Sequence, residues 1–156
     1  MKKETKKHPL PHDLNYQNLC VSNEDAQNID RRAIVELSYP SIDLMEKAGL
    51  AAADQALKII KKCKLEHTLV FCGKGNNGGD GYVLARILHD QNHAVHCICL
   101  SSRENIKGDA AISYDNMLNS ACDILHIKKA EEIENLLQRP ALWVDAIFGT
   151  GIHSDI

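Results

Sequence analysis

Two glycine-rich strings carry most of the chemistry this sequence could perform. The first reads Gly73-Lys74-Gly75-Asn76-Asn77-Gly78-Gly79-Asp80-Gly81. Its glycines admit positive φ and close approach of backbone to a ligand. Their amides, together with a following helix start, form an anion site suited to a pyrophosphate; a plain tight strand-to-helix turn is the alternative. Asn76 and Asn77 add amide groups suited to a sugar, a carboxamide or a hard cation. Asp80 is expected in the first helical turn, either as a charge favoured by the helix dipole or as a contact to a ribose or a reaction centre. Lys74 reads as a solvated loop lysine before a phosphate ligand.

The second string is Asp145-Ala146-Ile147-Phe148-Gly149-Thr150-Gly151. Asp145 interrupts an apolar run near its end, where an unpaired buried carboxylate is costly. A bound cation, or backbone N–H groups of the neighbouring loop, would offset that; simple loop capping is the plainer reading. Gly149 and Gly151 again permit backbone contact with a ligand. Gly73-x-Gly75-x-x-Gly78 matches the dinucleotide fingerprint, but a dehydrogenase carries an acid at the end of its second strand. Here that end reads Leu100-Ser101-Ser102-Arg103, with no acid. Arg103 suits a 2′-phosphate, so an NADP-dependent oxidoreductase is retained as an alternative.

These loops need a scaffold, and the pattern around them predicts one. Ser22 is expected to cap a helix over Asn23–Leu37, which Tyr39-Pro40 ends. A second helix opens at Ser41, with Leu44, Ala48, Ala51, Ala52, Ala56 and Ile59 as its apolar stripe. From residue 67 short apolar runs alternate with helical stretches. Strands are predicted at Thr68–Cys72, Ala94–Leu100, Ile124–Ile127 and Ala141–Phe148. Helices are predicted up to about Gln91 (face Val83, Leu84, Ile87, Leu88), over Lys107–Cys122 (Ala110, Tyr114, Met117, Leu118, Ala121) and over Glu131–Gln138. This alternation implies βαβ units, hence an α/β, Rossmann-like three-layer sandwich with a mainly parallel sheet. Strand four is expected beside strand one, opposite strand two, which brings both glycine strings to one crevice at the carboxyl ends.

The chain has 156 residues, 44% of them apolar and 25% charged, with a net charge of −3, the profile of one ordinary domain. The charge gives no general attraction to nucleic acid or membrane, and no apolar run is long enough to span a bilayer. The basic start leads into His8-Pro9-Leu10-Pro11-His12 and resembles neither a secretory nor a mitochondrial leader. The expected location is therefore the cytoplasm. Residues 1–21 read as a mobile tail and 22–156 as one domain. The cysteines, Cys20, Cys63, Cys72, Cys97, Cys99 and Cys122, are expected as buried thiols, ahead of metal binding by His93, His96 and Cys97.

Three strings, Leu44-Met45-Glu46-Lys47-Ala48-Gly49, Cys72 to Gly81 and Val144 to Gly151, occur in the order found in the NAD(P)H-hydrate epimerase (YjeF N-terminal) family, which the chain resembles from about residue 22 to its end. The resemblance implies an isomerase that interconverts the R and S epimers of NADH or NADPH hydrated at C6 of the nicotinamide ring, in nicotinamide nucleotide repair. An ADP- or ATP-dependent dehydratase, fused or separate, would then regenerate the cofactor. It implies substrate contacts at Asn76, Asn77, Gly78, Gly79 and Asp80, and at Gly149, Thr150, Gly151, Ile152, His153, Ser154 and Asp155. It implies a potassium ion on Asn77 and Asp145, for which oxygen donors are suited. A homodimer is compatible with it. The family continues into an Asp-x-Pro-Ser-Gly segment that supplies a further substrate-contacting Asp and cation ligand. This chain ends at Ser154-Asp155-Ile156 and is expected to be incomplete at its C-terminus, with strand four exposed at an apolar edge. The catalytic base is left unassigned, with Asp80 a candidate but not as sole base. A non-catalytic binding or scaffold module of the same fold is the other alternative.

Overall fold

The computed structural model describes residues 21–149. The expected tail, apart from Val21, lies outside the described residues, and so do Thr150, Gly151, Ile152, His153, Ser154 and Asp155. The elements, in order, are α1 (Asn23–Val35), α2 (Ser41–Cys63), β1 (His67–Cys72), α3 (Asn76–Asp90), β2 (Ala94–Cys99), α4 (Gly108–Asn119), β3 (Asp123–His126), α5 (Glu134–Leu137) and β4 (Ala141–Ala146). Two 3-10 turns, Arg103–Asn105 and Ala130–Ile133, fill the connections. The sheet order is β3-β2-β1-β4, and every pairing is parallel. This is the predicted order. It follows because each strand is a short apolar run that can be buried on both faces only if helices return the chain across the sheet.

One face of the sheet holds the main core. Val70, Cys72, Cys97, Cys99 and Ala146 pack there against Tyr82, Leu84 and Leu88 of α3 and Met117 of α4. Helix α3 is buried nearly all round, from Gly81 to Ala85 and at Leu88, because α2 and α4 flank it while it lies on the sheet. The opposite face has a thinner cover, in which the Ala130–Ile133 turn and α5 close over Leu69 and Ile98. The helix predicted over Glu131–Gln138 is thus split in two. The Glu132 carboxylate accepts the backbone N–H groups of Lys128 and Lys129, at 3.0 and 2.9 Å, which fixes a tight turn first. Beyond that cover, Phe71 and Trp143 meet as a tilted ring pair 5.9 Å apart, with Trp143 55% exposed.

Helix faces depart from expectation in two places. On α2 the buried stripe is Met45, Gly49, Ala53, Ala56 and Ile60, while Ala48, Ala51, Ala52 and Ile59 are exposed. The reason is Gly49: a side chain there would overlap Val83, so the line with the least bulk, not the one with most alanines, faces α3. On α4, Leu118 is exposed while Ser113 is buried, its hydroxyl 3.3 Å from the Met45 sulfur; Ala121, expected on the same face, lies past the end of the helix at positive φ. Helix α1 is capped as predicted, Ser22 Oγ accepting the Asp25 N–H at 3.1 Å, yet it buries none of its residues. Among the described residues, no helix is long and apolar enough to cross a membrane.

Candidate functional site

The carboxyl ends of β1 and β4 lie side by side, with Phe71 opposite Asp145 and Cys72 opposite Ala146. Parallel pairing therefore delivers the two glycine strings to the same end of the sheet. The ladder continues one step past the strands, where the Gly73 N–H donates to Ala146 O at 3.0 Å. A Cβ on Gly73 would overlap the Ile147 carbonyl, and one on Gly78 would overlap the Gly73 carbonyl. Close backbone packing, not positive φ, is what these glycines provide; among the described residues the only glycine at positive φ is Gly108.

Helix α3 starts at Asn76, with Gly75 as its N-cap. Gly78, Gly79 and Gly81 are thus inside the helix and do not precede it as a loop. Asp80 falls in the second turn and not the expected first, so the helix dipole acts on it weakly. The first amides of α3 have no acceptor within the helix, and the helix begins just beyond the tip of β1. Asn76 is exposed and Asn77 half-buried. Asn77 Nδ2 donates to the Phe148 carbonyl at 3.0 Å, which leaves its amide oxygen available. Gly149 closes against Asn77.

Asp80 is half-buried, and burial, with the Asp30 carboxylate of α1 adding to it, raises its pKa from 3.8 to about 6. Asp30 is a neighbour that no sequence pattern announced. Asp145 corrects an expectation: it is exposed, not buried. Strand β4 is at the sheet edge, and its Trp143 and Asp145 project from the thinly covered face. One carboxylate oxygen accepts the Ile147 N–H at 3.0 Å, the loop capping weighed from sequence. Asn77 and Asp145 still present only oxygen donors, which fit a hard cation in kind.

Tyr82 was missed entirely. Fully buried, it donates its hydroxyl to Gly73 O at 3.2 Å and sits 3.3 Å from Cys99 Sγ, tying the first loop to the tip of β2. A single tyrosine within an apolar helix face was its only signal. The conserved-order string on α2 also finds its place: Met45 lies under Gly79, Glu46 pairs with Arg86 of α3, and Gly49 receives Val83. It builds the floor of α3. The histidines and cysteines have separate partners: His93 with Thr68 at 3.0 Å, His96 with Asp123 at 2.8 Å, Cys97 with Cys72 at 3.7 Å. Cys72, Cys97, Cys99 and Cys122 are buried, whereas Cys63 is exposed.

The fold and this crevice define a doubly wound α/β domain of the kind that binds nucleotide-like ligands at its strand tips. Residues 41–156 match the family described as YjeF-related protein N-terminus. The chain belongs to that family. It is 37% identical over 140 residues to the bifunctional NAD(P)H-hydrate repair enzyme Nnr of Salinibacter ruber, covering 83% of this chain and 26% of that protein. It is 33% identical over 138 residues to the NAD(P)H-hydrate epimerase of Oenococcus oeni, covering 88% and 62% respectively. The crystal structure of yeast ynu0 superposes with a TM-score of 0.72 at 26% identity, over 88% of this chain and 60% of that one. The chain thus spans about a quarter of the bifunctional relative and about three fifths of the other two.

Proposed function

We propose that this domain is an isomerase that interconverts the R and S epimers of hydrated NADH and NADPH. The observation that carries the reading is the Asn77 to Phe148 hydrogen bond, which joins the two strings into one pocket wall. The amides at the start of α3 would hold the pyrophosphate. Asn76, Asn77, Gly78 and Gly79 would position the nicotinamide half, with the string from Gly149 to Asp155 opposite. Asp80, with a pKa of about 6, is suited to exchange a proton with the reacting ring near neutrality; the further Asp that the family resemblance implies would share that work. Asn77 and Asp145 would hold a potassium ion through oxygen. Such an ion would supply a fixed positive charge beside the substrate's anionic groups.

In this reading the partner is an ADP- or ATP-dependent dehydratase, fused or separate, acting in the cytoplasm on the epimer it accepts. A homodimer belongs to the same proposal. The test is epimer exchange of hydrated NADH followed by NMR, with and without potassium. Exchange that Asp145→Ala slows and potassium accelerates is the expected result. A chain that produces no exchange, while the Oenococcus oeni relative does so under the same conditions, would overturn it.

A further inference from the structure

A second cleft opens beside the first loop. Its volume is about 630 Å³ and its walls include Ser102, Arg103, Glu104, His126 and Lys128, at the carboxyl ends of β2 and β3. It is continuous with the site: Leu100 N–H donates to Cys72 O at 3.0 Å, and Tyr82 bridges Gly73 and Cys99. The volume lies in the range of small-ligand sites. A dinucleotide laid across parallel strand tips reaches this side with its adenosine end when its pyrophosphate is at the first loop.

The charges in the cleft are arranged unequally. Arg103, the residue that from sequence suits a 2′-phosphate, is engaged through all three of its nitrogens. Its Nε and one terminal nitrogen meet both Asp115 oxygens at 3.0 and 2.7 Å. The other terminal nitrogen donates to Ile106 O at 3.3 Å, and the group stacks over the Tyr114 ring. His126 is tied at both ring nitrogens: Nδ1 donates to the Ser101 carbonyl at 3.2 Å, and Nε2 is 2.8 Å from the Tyr114 hydroxyl. Glu104 is exposed on the cleft wall in the Arg103–Asn105 turn, where its carboxylate accepts from its own backbone N–H and from Ser102 and keeps further lone pairs toward the cleft. It supplies the acid that the end of the second strand lacks in sequence, one turn further on. A carboxylate there accepts from a ribose diol and repels a phosphate ester.

We propose that the cleft at the tips of β2 and β3 receives the adenosine ribose, with Glu104 accepting from its hydroxyls, and that the chain thereby favours hydrated NADH over hydrated NADPH. This rests on the epimerase reading. Lys128, across the cleft, is exposed, and a 2′-phosphate seated on Lys128 is the competing arrangement.

The test compares exchange of the two hydrates, and binding of 5′-AMP against 2′,5′-ADP, in wild type, Glu104→Gln and Lys128→Ala. Both residues are exposed, so folding is unaffected. The expected result is about five- to tenfold discrimination in favour of the 2′-hydroxyl ligand at low salt, shrinking as salt rises. Glu104→Gln should abolish most of it by improving the phosphorylated ligand. Exchange of both hydrates at equal rates, or discrimination unchanged in Glu104→Gln, overturns the inference and leaves the epimerase reading standing. A preference for the phosphorylated ligands that Lys128→Ala removes overturns it in favour of the competing arrangement. Exchange of neither hydrate with 5′-AMP still favoured would retire the epimerase reading and keep the subsite.

Discussion

Asn77 and Phe148 lie 71 residues apart in sequence, and one hydrogen bond of 3.0 Å from side-chain amide to main-chain carbonyl joins them. With the Gly73 N–H to Ala146 O bond, also 3.0 Å, it ties together the two strings that make the site, and its geometry depends on β1 and β4 being parallel neighbours. Replacing Asn77 by Ala should lower stability by about 1 kcal/mol and abolish exchange. Replacing it by Ser, short of Phe148 but still an oxygen donor, should lose the same stability yet retain part of any potassium response. Urea unfolding alongside NMR exchange measures both; a fully active Asn77→Ala would remove the pocket wall from the mechanism.

Asp80 sets function against stability. Its folded pKa, about 6, is above the unfolded value of 3.8, so the folded state holds the proton more tightly. Its contribution is therefore full below about pH 4 and is lost as pH rises toward 6. Asp80→Asn should accordingly gain about 1–2 kcal/mol at neutral pH, the full effect of the shift being reduced by solvent access, while exchange falls away. The wild-type exchange rate should change near pH 6. Thermal unfolding at pH 7 that shows Asp80→Asn to be less stable contradicts this account.

Gly75 and Gly78 should respond in opposite directions. Gly75 has open space around it and extended N-cap geometry, so Gly75→Ser adds a capping acceptor and should gain a few tenths of a kcal/mol or about nothing. Gly78→Ala forces backbone against the Gly73 carbonyl and should lose about 1–3 kcal/mol. Equal unfolding midpoints for the two variants would contradict the packing described.

His67 is 2% exposed, and both its ring nitrogens are buried without a hydrogen-bond partner among the described residues. Burial first, then the Arg139 charge, lowers its pKa; burial first, then His67, lowers that of His93. Both rings bind protons less tightly folded than unfolded. Their contribution is full above the unfolded value of about 6.5 and declines as pH falls below it. His67→Leu should be more stable than wild type by about 1–2 kcal/mol near pH 7.5, and the gap should widen near pH 5.5. A gap that narrows on acidification would refute the assignment.

Much of this arrangement is legible in the sequence because it depends on period and order. Four short apolar runs with helical spacers dictate parallel pairing, and parallel pairing places Gly73 near Ile147. What was not legible depends on tertiary packing. The inward line of α2 was decided by Gly49 meeting Val83, which a count of alanines misjudges. The apolar run around Asp145 predicts a buried carboxylate, but its side chain projects from the thinly covered face of the sheet and is exposed. Glu104 is not marked by the strand-end pattern, because it is the 3-10 turn beyond β2 that carries it to the cleft. Asp30 and Tyr82 act on the site from other elements, where no local spacing marks them.

Trp143 is the chain's single tryptophan, and it stands half bare against Phe71, two residues from Asp145 on the same side of β4. Its emission is therefore an intrinsic gauge of that side of the sheet. Any polypeptide that settles over the Phe71–Trp143 pair will shift the fluorescence to the blue and shield it from acrylamide. An ion or ligand that orders the nearby loop alone will register more faintly, so one optical signal distinguishes the two events without a label.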